Sequence, residues 1–352
     1  MTSEASDCAL IETFTLGQHA LLHNPASAAM VLAPHSAIPL LKASEGSDLK
    51  QADMLSVWRK AGLFEPTPYP PDDPVPLDNA EFGTTLVFAG PGGRVALKLS
   101  EENLIDQLAC LLAFCRVQDD ILAERIYRIV YDGTDYTAYD STRPLTERID
   151  LDAARFYAAR LVCEGIISDV AASFHASAVA RDGYALILVG ESGRGKTTTA
   201  LGLLASGCAQ MSDDHVALNR AAQLCAFPAA IGLKAGTVPL PEVQTLLAQG
   251  KETAEVRDGV RYVQAHRRLD IGTALPVAAM IFPEFTSGAA LELAPVTPEE
   301  ALMRCIEAGA RIARNADTAA PLVEFLNRVP CWHMVYSGSD QSIPACLDLF
   351  CS

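Results

Sequence analysis

No stretch of the sequence reaches the roughly 18 uncharged apolar residues that a membrane-crossing helix needs; the runs ALILVG and VAAMIF are strand-length. The opening MTSEASDCALIETF has neither the basic start nor the long apolar core of a secretion signal. Ten cysteines, at 8, 110, 115, 163, 208, 225, 305, 331, 346 and 351, include no CxxC pair and no zinc-type spacing. Several sit in apolar runs such as LACLLAFC and ARLVCEGII, where a thiol behaves as a small hydrophobe. The expectation is a reduced, cytoplasmic protein without a disulfide framework or structural metal. Positive charge is scarce too: 27 Lys and Arg against 43 Asp and Glu leave a net charge of −16. That balance argues against a nucleic-acid coat and against an anionic-membrane binder, since both need a basic surface. A local basic pocket for a phosphorylated ligand stays open. Neither an internal repeat nor a low-complexity tract is present.

What is there is apolar substance. Half of the 352 residues are hydrophobic and 20% are charged, enough to bury a sizeable core. At roughly 150 residues per domain, the length predicts two domains or one with an appendage. Residues 1–66 read as a small α+β unit: LIETFTLGQHALLHN and SAAMVLAP alternate like strands around an HNPAS turn. DLKQADMLSVWRKAGLF is an amphipathic helix with Leu55 and Trp58 on one side. The proline- and acid-rich EPTPYPPDDPVPLDN at 65–79 supports neither a helix nor a central strand. It predicts a linker over 67–82, tethering a separable unit to a larger domain over 83–352. There TTLVFAGPGGRVALKLS predicts a hairpin turned at Gly90–Gly93, residues 101–124 a helix, RIYRIVYDG a strand and 151–174 a long helix. YALILVG suits a strand buried on both faces. A helix and the strand-like QMSDDHVALNR follow it, the strand–helix–strand grammar of an α/β protein with a parallel sheet. VAAMIFPEF is a strand, TPEEALMRCIEAG opens on a Thr297–Glu300 capping box, and CWHMVYSG and SIPACLDLFC close the chain as strand and helix.

Gly190, Glu191, Ser192, Gly193, Arg194, Gly195, Lys196 and Thr197 match GxxxxGK[ST] without a mismatch, between a strand-like run and a helical one. Glycines let consecutive backbone amides turn inward around phosphate oxygens, and the helix amino terminus adds partial positive charge. The pattern predicts ATP on Gly190 through Thr198, with Lys196 reaching the β- and γ-phosphates and the Thr197 hydroxyl on Mg²⁺. Ser212-Asp213-Asp214 follows at the end of the next strand. One carboxylate there can hold Mg²⁺ while its neighbour acts as general base, an arrangement suited to phosphate transfer onto a hydroxyl. His175, in Ser-Phe-His-Ala-Ser just upstream, is a further candidate. RYVQAHRRLD is a basic island in an acidic chain, so Lys234, Arg267 and Arg268 are candidate phosphate clamps.

The segment FHASAVARDGYALILVGESGRGKTTTALGLLASGCAQMSDDHVAL resembles the core of the HPr kinase/phosphorylase family, whose P-loop domain is related to phosphoenolpyruvate carboxykinases. The resemblance covers 174–220 specifically and 84–350 loosely. It implies His175 as the active-site histidine, Lys196 as the phosphate-binding lysine and Thr197 in place of the magnesium-binding serine. Asp214 falls where the family's aspartate accepts the substrate proton, and Asp213 at its acidic neighbour. The family's downstream glutamate-bearing segment is missing; AFPAAIGLKAGTVPL stands there, with Lys234 in its middle. FPAAIGLKAG and MIFPEFTSGAALELAPVTPEEAL are similar instead to HPr-kinase-related proteins encoded near peptide-modification genes, among them lasso-peptide kinases that phosphorylate a peptide serine. Residues 10–66 have a weaker similarity to the winged-helix element that captures leader peptides. The resemblance implies an ATP- and Mg²⁺-dependent kinase acting on a serine or threonine of a peptide or small protein. A genuine HPr kinase/phosphorylase and a non-catalytic ATP-binding regulator or scaffold stay open, as does a homo-oligomer.

Overall fold

The computed structural model describes residues 11–25, 27, 29–42, 49–61, 63–64, 83–104, 112–117, 122–140, 143–167, 170–234, 236–249, 251–252, 261–312 and 319–351. The chain is a mixed α/β protein with several sheets. The first is a three-stranded antiparallel meander of β1 (Glu12–Leu16), β2 (His19–Asn24) and β3 (Ala29–Pro34), followed by α1 (Leu49–Lys60), on which Leu55 and Trp58 are buried as their spacing predicts. The second joins six strands: β4 (Thr84–Gly90), β5 (Gly93–Leu99), β6 (Arg116–Val117), β7 (Arg125–Tyr131), β8 (Tyr136–Asp140) and β9 (Arg143–Pro144). Helix α2 (Leu151–Ile166) packs on it around Val162 and Ile166, capped where the Ala153 amide donates to Asp150 Oδ1 at 2.8 Å.

The remaining elements follow in chain order: β10 (Ala172–Phe174), β11 (Ala176–Arg181), β12 (Tyr184–Val189), α3 (Lys196–Ala205), β13 (Ala209–Ser212), β14 (Val216–Leu218), β15 (Leu224–Cys225), β16 (Ile231–Leu233) and α4 (Pro241–Gln249). Then come β17 (Lys251–Glu252), β18 (Arg261–Gln264), β19 (Ala274–Leu275), β20 (Val277–Phe285), β21 (Glu292–Val296) and α5 (Pro298–Glu307). The chain closes with β22 (Arg311–Ile312), α6 (Ala319–Arg328), β23 (Cys331–Tyr336) and α7 (Ser339–Asp348). The central sheet runs β13-β11-β12-β20-β23-β21. Its β13, β12, β20 and β23 share one direction, with β11 and β21 reversed. Alternation along β12 sends Leu186 and Leu188 into the layer of α3, α4 and α7, and Ile187 and Val189 into that of α5 and α6. The carboxyl ends of four strands therefore meet at one edge, joined by the start of β11, the position where open α/β sheets bind ligands.

Three expectations are corrected. The helix over 101–124 does not form: 102–104 is a single 3₁₀ turn, 112–115 turns back and 116–117 is β6, with the remainder outside the described residues. The helix over 151–174 stops at Ile166, and 172–174 is β10, since β-branched Val170 and the apolar pattern beyond it serve a sheet equally well. The strand after the glycine loop runs parallel to β12 in the central sheet, as the strand–helix–strand pattern predicts, one strand away across β11. The β1–β3 meander is also more than tethered. Leu16 and Leu21 are buried in the same cluster as α5, α6 and the central sheet, and the β1–β2 turn is clasped by both helices. The linker expected over 67–82 lies outside the described residues. Among the described residues no helix is long and apolar enough to cross a membrane.

Candidate functional site

The loop between β12 and α3 is built by backbone demands that glycine meets. Gly193 and Gly195 have φ of 88° and 99°, in the left-handed region, and a Cβ on Gly195 would collide with the Tyr336 hydroxyl. Gly195 is also the N-cap of α3. Helices α2 and α5 close their first turns with Asp150 and Thr297, but α3 has no side-chain cap, so its first amides face the loop. Lys196 leads the helix and is only 6% exposed. Its ammonium donates to the carbonyls of Gly190 and Glu191, the latter at 3.0 Å, and engaging a phosphate would exchange those bonds. Burial lowers its pKa, with Asp214 and Asp213 opposing the shift. Thr197 and Thr198 fill the rest of the first turn, half-buried.

The Ser212–His215 turn stands on the other side of β11. Asp213 is 6% exposed, and its Oδ1 accepts from the Ser177 hydroxyl at 2.5 Å. Burial, then the neighbouring Asp214, pushes its pKa up against the pull of Ser177, Lys196 and His175. Asp214 has φ of 63°, a conformation aspartate tolerates better than most residues, and this turns its side chain outward, 65% exposed. Its Oδ1 lies 3.5 Å from His175 Nε2, and that contact holds its pKa down. His175 Nδ1 donates to the Ala308 carbonyl at 3.2 Å, which orients the ring and presents Nε2 to Asp214. His175 does not end a helix as expected; it sits between β10 and β11. Burial lowers the pKa of His215. A cavity of about 360 Å³ opens against Asp214, His175 and His215, with Glu164 and Arg311 on its wall. Arg311 donates to Glu164 at 2.9 Å.

The three candidate clamps separate. Lys234, just past β16, donates to Ser192 Oγ at 3.1 Å and so stands on the glycine loop. Arg267 donates to the Gly207 carbonyl at 2.9 Å, at the far end of α3, about 15 Å away by helix rise. Arg268 donates to Gln264 Oε1. Neither arginine is brought to the loop. Arg194 points to the other face, 3.5 Å from Glu284, which also meets His333 at 3.0 Å.

Two residues escaped the sequence reading. Ser177 carried a signal: it lies in β11, two residues beyond His175, as a lone hydroxyl within the apolar run ASAVA, the mark of a buried polar group that needs a partner. Tyr336 carries no signal, because it reaches Gly195 only through strand order. For Mg²⁺, the Thr197 hydroxyl and the Asp213 carboxylate are hard oxygen donors of the right type. No cluster of three or more His, Cys, Asp or Glu side chains forms a cage among the described residues. That set fits an ion that keeps its waters and leans on substrate phosphates. No protein-family model matches the chain, and no curated protein matches it.

Proposed function

We propose that the chain is an ATP-dependent P-loop kinase of the HPr kinase type that transfers the γ-phosphate to a hydroxyl of a peptide or small protein. One observation carries the reading: a capless helix amino terminus with a buried lysine lies across one strand from a paired-carboxylate turn that opens on a cavity. The triphosphate lies on the amides of 190–198, with Lys196 and Lys234 as its cations. Mg²⁺, when bound by Thr197 and Asp213, would neutralise charge on the β- and γ-phosphates. The acceptor hydroxyl enters the cavity beside Asp214. As its oxygen bonds to the γ-phosphorus, the bond to the β–γ bridging oxygen breaks, ADP leaves and Asp214 takes the proton. A carboxylate held low by His175 is a modest base, which suits a loose transition state in which the proton departs late. His175 holds that carboxylate in place. The Lys234 stretch puts a cation at the loop where HPr kinase/phosphorylases carry a metal-binding glutamate, and this weighs against that narrower activity.

The test is transfer from γ-labelled ATP to serine- and threonine-containing peptides by the wild type and Lys196→Ala. Label that needs Lys196 supports the reading. Tight ATP binding without transfer to any acceptor favours the regulator, and absence of ATP binding by the folded wild type removes both.

A further inference from the structure

The two flanks of the glycine loop differ. Strand order puts β11 and β13, with Ser177, Asp213 and Asp214, on one side of β12, and β20 and β23 on the other. On that second flank Phe285 ends β20 with 54% of its surface exposed, although it belongs to a strand whose centre is buried. Its Cβ lies 3.8 Å from where a Cβ on Gly195 would stand, so it adjoins the loop itself. Its ring meets Tyr336 edge-to-face, centroids 5.9 Å apart at 76°. Tyr336 is buried and its hydroxyl lies 3.0 Å from Thr199 Oγ1 in α3. The exposed ring is therefore backed by a fixed one and leaves a face open beside the loop.

If transfer occurs beside Asp214, the γ-phosphate end of the nucleotide lies on the β11–β13 flank. The phosphate chain crosses the loop, so the nucleoside leaves on the β20–β23 flank. We propose that Phe285, braced by Tyr336, is the stacking platform for the purine base of the nucleotide. The proposal rests on the kinase reading and adds the half of the ligand that glycine loops do not contact. Stacking on a π-face is tolerant of base identity, so the platform favours nucleotides over bare polyphosphates without selecting strongly between adenine and guanine.

Calorimetric titration of ATP and of inorganic tripolyphosphate, each with Mg²⁺, into the full chain tests it. Phe285→Ala should weaken ATP roughly tenfold and leave tripolyphosphate within about twofold of wild type. Phe285→Trp should restore ATP binding, with indole fluorescence quenched by ATP and not by tripolyphosphate. Unchanged ATP affinity in Phe285→Ala overturns the platform, as does equal weakening of both ligands, which would make the ring a prop for the loop. The underlying reading fails separately: wild type then binds neither ligand, or Lys196→Ala binds both as tightly as wild type.

Discussion

Asp213 and Glu299 are both buried carboxylates, 6% and 8% exposed, and their pKa values move in opposite directions. Asp213 stands beside the glycine loop and is pushed up. Glu299 sits in the first turn of α5 and falls to about 2. Burial opposes ionisation at both. At Glu299 it is outweighed by donors: its own amide, the His19 ring at 3.1 Å, the Gln18 amide and Thr297. At Asp213 burial plus a second carboxylate next door outweigh one hydrogen-bonding hydroxyl, Ser177, and the charges of Lys196 and His175. The difference separates two uses of a buried charge. Glu299 is satisfied by protein and anchors the β1–β2 turn to α5; Asp213 is under-satisfied, and a cation at its carboxylate would remove the penalty.

The largest effect tests the loop side. In the kinase reading, Asp214→Asn should keep ATP affinity and lose roughly 10²-fold or more in turnover, the scale of a general base. Asp213→Asn should instead raise the Mg²⁺ concentration needed for half-maximal rate. Exchanged outcomes would exchange the two roles.

Stability should then diverge in sign. Glu299→Gln should cost about 2 kcal/mol at neutral pH through lost charge-assisted hydrogen bonds. Because the folded pKa is depressed, that contribution is full above the ordinary glutamate value and disappears as pH falls toward 2. Asp213→Asn should raise the melting temperature at neutral pH in the absence of metal. Its folded pKa is elevated, so the cost of ionisation grows from the ordinary aspartate value up to the folded pKa and is full above it, and the gain vanishes below the ordinary aspartate range. Denaturation curves of both variants between pH 3 and 8 measure the two slopes; parallel slopes would abolish the contrast. The smallest effects concern the cations. Lys234→Ala should weaken ATP roughly tenfold. Arg267→Ala should leave nucleotide affinity alone and cost about 0.5–1 kcal/mol, the value of its bond to the Gly207 carbonyl.

The same contrast explains what could be read from the sequence. That Asp213 and Asp214 share the turn after the strand that follows the glycine-loop helix was legible from local spacing. The strands at 12–34, the hairpin at Gly90–Gly93 and the Thr297 cap were legible for the same reason: alternation, turn chemistry and capping are local. Glu299 reads only as the second residue of a helix, since its partners lie some 280 residues away. Lys234 and Arg267 look alike as cations in sequence, and strand order alone sends one to the loop and the other to the opposite end of α3. The 151–174 helix was over-extended because an apolar run carries no mark of where a helix yields to a strand.

The clasp on the first hairpin has a consequence for the order of synthesis. Asn327 accepts from the Gly17 amide at 3.0 Å and donates to the Thr15 carbonyl at 2.9 Å, contacts that span 310 and 312 residues. The meander is translated nearly three hundred residues before the helices that cover Phe14, Leu16, Leu21, Met30 and Leu32. At roughly 5–20 residues per second the ribosome needs on the order of 15–60 s to deliver that cover. For that interval a three-stranded sheet with an uncovered apolar face hangs from the nascent chain. The meander is thus made long before it is sealed, and chaperone demand during translation falls on this sheet before it falls on the region of the glycine loop.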